Sequence, residues 1–304
     1  MIDLSVNFAG VRFKNFVTVA SGTFGFGREY SEYFDLSRLG GICVKGLTVQ
    51  PRDGNPPVRI AETPGGILNS VGLQNPGVDA FIKTELPFLR GYDTRIIANI
   101  SGNTPAEYAL MAKKLSDAGI DIIEVNVSCP NVKAGGIAFG TDPCLAAEVT
   151  RAVKTVSEVP VMIKLSPNVT DIVSIARACE DAGADALSLI NTLLGMRIDP
   201  RTGRPVLKNI TGGLSGPAIF PIALRMVWQV CSAVSVPVMG MGGVSDTEGA
   251  LEMLWAGASL VSAGTALFKD PLAAVSIVEG AETFFRENNM KGPCDIRGKL
   301  KLYD

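Results

Sequence analysis

The segment Glu124-Val-Asn-Val-Ser-Cys-Pro-Asn131 sets Cys129 between two asparagines, where an apolar run gives way to proline. The chain contains no histidine, so the base, nucleophile and metal-ligand roles that usually fall to imidazole must be met by other groups. A free thiol has a pKa of roughly 8.5. Cationic neighbours lower it until the thiolate accepts a proton near neutrality, and otherwise it works best at mildly alkaline pH. The alternative is an inert buried thiol, the usual fate of cysteine and the expectation for Cys43, Cys179 and Cys231. Pro130 ends the run, and the Gly-rich stretch 132–140 behind it is placed to fold over a ligand as a lid.

Other groups complete a set of reagents. Lys45 and Lys164 lie in otherwise apolar runs, a costly placement unless each meets an anion or a ligand carbonyl. A buried ion pair and a Schiff-base nucleophile are the competing readings. Asn69, Asn99, Asn126, Asn131 and Asn191 are uncharged groups that donate and accept, suited to a flat ligand edged with alternating N–H and C=O groups, such as a cyclic imide, amide or pyrimidine. Any one of them alone could simply close a turn. Gly242-Gly243 and Gly264-Thr265 expose backbone N–H groups that suit a phosphate, although a glycine pair also permits a tight turn.

These residues need a scaffold that gathers them. Eight short apolar runs alternate with longer amphipathic segments, at 17–20, 42–45, 95–100, 122–127, 161–165, 186–190, 238–241 and 260–263. Runs apolar on both faces fit parallel strands covered by helices, and eight of them predict an α/β fold of the (β/α)8 barrel type, spanning 1–304 as a single domain. An internal echo agrees: Asp117-Ala-Gly-Ile-Asp121, Asp181-Ala-Gly-Ala-Asp185 and Trp255-Ala-Gly-Ala-Ser259 each put Gly where a helix would end and a strand begin. Val159-Pro-Val-Met162 recurs as Val236-Pro-Val-Met239. Residues 4–15 alternate around Ala9-Gly10 and predict an N-terminal hairpin that closes the barrel floor. Long insertions follow the second and sixth strands, at 47–76 and 193–216, on the rim where barrel enzymes keep their chemistry.

With 304 residues and 47% hydrophobic content the chain can bury a large core, and no linker or low-complexity tract divides it. A net charge of -2 argues against a nucleic-acid partner. The six cysteines form no C-x-x-C pair, which predicts no metal or iron–sulfur site in this chain. The start lacks the pattern of a signal peptide, and scattered thiols suit a reducing compartment, so the expected location is the cytoplasm. The stretch 250–268 is broken by Glu252, Gly257 and Gly264 and reads as a helix then a strand, not a membrane span.

Taken together, Asn126-Val-Ser-Cys-Pro-Asn131, Asn69-Ser-Val-Gly-Leu-Gln-Asn-Pro-Gly77, Ile190-Asn-Thr192 and Gly213-Leu-Ser-Gly216 resemble the signatures of the dihydroorotate dehydrogenases. The resemblance runs along essentially the whole chain. It implies FMN held by Ser21, Gly22, Lys45, Gly46, Asn99, Asn126, Lys164, Ile190, Gly216, Gly242, Gly243, Gly264 and Thr265. It implies dihydroorotate or orotate on Lys45, Asn69, Ser70, Val71, Gly72, Leu73, Asn126, Asn131, Asn191 and Thr192. Cys129 would take the C5 proton while hydride passes from C6 to flavin N5. Lys164 would face the flavin edge where negative charge grows on reduction.

A cysteine base marks the soluble class of that family, since the membrane-bound class uses serine and carries an N-terminal extension. Within the soluble class, 72–77, 132–136 and 193–199 look more like the NAD-linked catalytic subunit, a homodimer core bound to an FAD and 2Fe-2S partner as a heterotetramer, than the fumarate-linked homodimer. The residues agree in part: 22–27 and 240–245 both fail the G-x-G-x-x-G pattern, so electrons bound for NAD need another protein. Three rivals remain: a Schiff-base aldolase using Lys164 or Lys45, a non-catalytic partner-binding barrel, and a tRNA-modifying flavin barrel, which the acidic balance disfavours.

Overall fold

The structure, a computed structural model, describes residues 2–128 and 136–303. All eight apolar runs become parallel strands of one closed barrel: Val17–Val19, Gly41–Cys43, Arg95–Ile100, Ile122–Asn126, Val161–Lys164, Ala186–Leu189, Val238–Met241 and Leu260–Ala263. Neighbours in the chain are neighbours in the barrel, and the last strand closes on the first through Val261 beside Val17 and Ala263 beside Val19. The fold is a (β/α)8 barrel. Every strand residue except Arg95 is buried, because inward side chains fill the barrel and outward ones meet the helices.

Four of the covering helices begin where short polar side chains cap them. Thr104 accepts from the Glu107 N–H, Asp142 from Cys144 and Leu145, Asp171 from Val173 and Ser174, and Asp246 from Gly249. Three of them, Pro105–Asp117, Ile172–Asp181 and Thr247–Trp255, end at the repeated Ala-Gly element. There Gly119, Gly183 and Gly257 take φ of 76°, 94° and 115°, the left-handed turn that lets the chain reverse into the next strand. Helix Thr247–Trp255 followed by strand Leu260–Ala263 is the order expected for 250–268. Among the described residues no helix is long and apolar enough to cross a membrane.

The floor is closed by the hairpin Val6–Phe8 and Val11–Phe13, whose two-residue turn puts Ala9 and Gly10 at positive φ. Phe8 and Phe13 are fully buried, edge to face at 6.1 Å, and the Phe13 ring fills the space that a side chain at Gly41 would need. The rim insertions pair with each other, which the sequence reading did not foresee. Strands Leu193–Met196, Thr211–Ser215, Gly66–Asn69 and Ile60–Thr63 form one four-stranded antiparallel sheet in that order. Through it Gly213 stands beside Asn69 and Ser215 beside Ile67, tying the second and sixth strand loops together.

Candidate active site

One cavity of about 1100 Å³ opens at the C-terminal ends of the barrel strands. Ser21, Gly22, Lys45, Gly46, Asn99, Asn126, Lys164 and Ile190 line it, as do Gly242, Gly243, Gly264 and Thr265. Asn69, Val71, Gly72, Leu73, Asn191 and Thr192 bring the rim insertions into the same wall. Two expected residues stand apart from it. Ser70 is buried with its hydroxyl unpartnered among the described residues, and Gly216 packs so closely on Gly66 that a Cβ would lie 2.6 Å from the Gly66 Cα. Cys129 and Asn131 lie outside the described residues. So does the first part of the stretch read as a lid, 132–135; from Gly136 to Thr141 the chain is helical, and Phe139 is buried edge-on against Tyr108.

The two lysines differ in a way the apolar runs concealed. The second strand stops at Cys43, so Lys45 sits in the loop beyond it and is half-buried rather than inside a strand. Lys164 ends the fifth strand and is buried, with Nζ 3.4 Å from the Ser21 hydroxyl and 3.9 Å from Glu124 Oε2. The ion pair and the cavity-facing roles, set against each other in the sequence reading, therefore coexist. The carboxylate comes from inside the fourth strand, not from the rim.

Glu124 is fully buried and carries a dense set of donors. Asn99 Nδ2 reaches its Oε2 at 2.5 Å, Cys43 Sγ reaches the same oxygen at 3.1 Å, and the Ser188 hydroxyl reaches Oε1 at 2.7 Å. Burial, with the Glu124 charge added, pushes the Cys43 thiol well above its ordinary range, so it keeps its proton and donates. Burial pushes Cys179 and Cys231 up to about 12. All five described cysteines are free thiols.

The asparagines form a second cluster. Asn126 Oδ1 accepts from the Ser128 hydroxyl at 2.8 Å and from Asn191 Nδ2 at 3.3 Å, and Asn191 Nδ2 also donates to the Ser128 hydroxyl at 2.5 Å. At the glycine pairs, Gly242 and Gly243 take φ of 116° and 81°. A Cβ on Gly243 would fall 2.8 Å from the Gly216 carbonyl oxygen and 2.8 Å from Phe220. Thr265 donates to the Ser215 hydroxyl at 2.7 Å, linking the eighth strand loop to the rim sheet. Sequence reasoning missed Glu124, Ser188, Ser215 and Ser262 as members of this region. A lone carboxylate in the apolar run Ile122-Ile-Glu-Val was the available signal, because such a charge demands a buried partner.

A family model described as dihydroorotate dehydrogenase matches residues 3–285. The chain belongs to the dihydroorotate dehydrogenase family. Among its relatives in that family, a protein of Alkaliphilus oremlandii is 57% identical over 298 residues, covering 98% of this chain and 99% of the relative. Another from Alkaliphilus metalliredigens is 56% identical, covering 98% and 99% of the two chains. A third, from Thermoanaerobacter pseudethanolicus, is 55% identical and covers 99% and 100%. All three carry the name dihydroorotate dehydrogenase B (NAD(+)), catalytic subunit. The family resemblance drawn from the cysteine and asparagine motifs is thus borne out, as is its leaning toward the NAD-linked branch.

Proposed function

We propose that this chain is the catalytic subunit of an NAD-linked dihydroorotate dehydrogenase, oxidising dihydroorotate to orotate in pyrimidine biosynthesis as one cytoplasmic FMN-binding barrel domain. The observation that carries the reading is the convergence on one cavity of a buried lysine, an array of asparagines and the Gly242-Gly243 and Gly264-Thr265 turns at the ends of the seventh and eighth strands. Near-full-length likeness to proteins named as such catalytic subunits supports it.

The residues present fit FMN. Asn99 Oδ1 and the Ser262 hydroxyl are buried without a partner among the described residues, and both residues line the cavity, as acceptors and donors for a polar ring edge. Gly242 and Gly243 have no room for a Cβ against Ala223, Ile190, Gly216 and Phe220, so the turn they form keeps its backbone at the cavity wall, where N–H groups suit an anion. When bound, FMN supplies the acceptor for the substrate C6 hydride. Lys164 sets a positive charge at the cavity wall, which favours the added electron density. The amides of Gly242-Gly243 and Gly264-Thr265 would hold the phosphate and Ser21 and Asn99 would meet the ring, while Gly216, set back from the cavity, would support the turn through its carbonyl beside Gly243. Lys45, Asn69, Asn126, Asn131, Asn191 and Thr192 orient the pyrimidine, and Cys129 removes its C5 proton. Electrons bound for NAD leave through a partner bearing FAD and a 2Fe-2S cluster, on a homodimer core that makes a heterotetramer.

Native co-purification tests the acceptor. A complex with flavin and iron–sulfur absorption that reduces NAD with dihydroorotate is expected, and fumarate turnover by this chain alone would overturn the NAD-linked reading. The phosphate cradle is tested by Gly243→Ala. Positive φ and contact with the Gly216 carbonyl together cost about 1–3 kcal/mol at such a site. FMN affinity should fall by about 10- to 100-fold at unchanged far-UV circular dichroism. Undiminished flavin retention through gel filtration would show that the phosphate rests elsewhere.

A further inference from the structure

Beneath the cavity floor the barrel interior holds a charge that none of the roles above uses. Glu124 is fully buried, as are Asn99, Cys43 and Ser188, and Lys164 is 5% exposed. An ionised carboxylate can only accept, and the groups around Glu124 all donate: Asn99 Nδ2, Cys43 Sγ, the Ser188 hydroxyl and, at 3.9 Å, the Lys164 ammonium. Two of these four, Asn99 and Lys164, line the cavity. Because Glu124 takes the amide nitrogen of Asn99, the carboxamide can turn only its oxygen away from the carboxylate. That oxygen is the one left without a partner among the described residues.

We infer that Glu124 is a positioning residue of the flavin site. It locks Asn99 with its acceptor outward and holds Lys164 at the wall, and its negative charge tempers the positive field that Lys164 casts into the cavity. The inference rests on the flavin reading above. Its redox consequence follows from electrostatics: removing a buried negative charge next to a flavin pocket favours the reduced, more negative flavin and raises its midpoint potential.

Glu124→Gln is the informative variant. The new side chain still offers an oxygen to Asn99 and Cys43, while its amide can donate to the Ser188 hydroxyl. In an anaerobic dye-linked titration of the flavin-loaded protein, Glu124→Gln should move the midpoint potential upward, by at least tenfold in the reduction equilibrium, about 30 mV for a two-electron couple. An unchanged or lower potential overturns the inference while leaving the functional reading standing. Glu124→Leu, which also removes the acceptor for Asn99, should bind FMN at least tenfold more weakly than Glu124→Gln; equal affinity overturns the lock. If Glu124→Gln yields no folded protein, the double replacement Glu124→Gln/Lys164→Met should fold, since neither charge is then left unmatched. Its potential should lie above that of Lys164→Met alone, and a double variant that does not fold, or an equal or lower value, overturns the inference. Wild-type protein that takes up no flavin overturns the functional reading and this inference with it.

Discussion

Cys129→Ala is expected to fold and retain flavin yet reduce that flavin with dihydroorotate about 10²- to 10⁴-fold more slowly, the usual contribution of a positioned general base. That range corresponds to about 3–5 kcal/mol of transition-state stabilisation. The loss should be large because, among the described residues, no other thiol is placed to substitute. The chain has no histidine. Cys43, the described thiol bonded within the barrel, is held protonated by burial and by the Glu124 charge, and donates to that carboxylate. Cys179 and Cys231 are pushed up to about 12, and Cys144 and Cys294 are exposed. The measurement is anaerobic stopped-flow reduction at saturating dihydroorotate. A rate within a factor of about three of wild type is too small a loss for a general base and would remove Cys129 from the mechanism.

The pH profile separates a base from a packing residue. A thiol works as a base only once ionised, so the wild-type rate should climb about tenfold per pH unit below the thiol pKa and then level. Cys129→Ser should keep a small remnant that continues to climb where the wild type has levelled, because a hydroxyl ionises far less readily. A remnant that is flat across pH would count against proton abstraction at this position.

Much of the fold was legible because periodicity is a local property. Each apolar run between turn signals became a barrel strand, and the three Ala-Gly elements became helix C-termini with glycine at positive φ. Strand ends were less secure: the run 42–45 is hydrophobic up to Lys45, but the paired segment stops at Cys43. The rim sheet was hidden because its strands come from insertions more than a hundred residues apart, and pairing such as Gly213 with Asn69 leaves no local trace. Most residues read at the strand ends line the cavity, since residues just past parallel strands must converge at one end of a barrel. The role of Glu124 was not, because a buried carboxylate is recognisable only when its donors, spread over strands two, three, five and six, are seen around it.

Those donors set the expected outcome for Lys164→Met. Methionine matches the length of the lysine stem and packs readily in an apolar strand, so shape is kept while the ammonium is lost. Glu124 then remains fully buried with neutral donors only. Removing one partner of a buried pair costs about 3–5 kcal/mol. The hydrogen bonds from Asn99, Ser188 and Cys43 hold the cost toward the lower end of that range. A fall in Tm of about 5–15 °C follows for a domain of this size. Flavin reduction should fall as well, by about 10²- to 10³-fold, the loss typical when a preorganised electrostatic donor is deleted. The two effects have different origins and should part on pairing. Lys164→Met/Glu124→Gln leaves no unmatched charge, so Tm should return most of the way to wild type while reduction stays slow. Calorimetry and stopped-flow on the same preparations read both. Recovery of rate together with stability would mean that Lys164 serves only to neutralise Glu124; slow reduction in a stable double variant would assign the ammonium a role in the cavity that it lines.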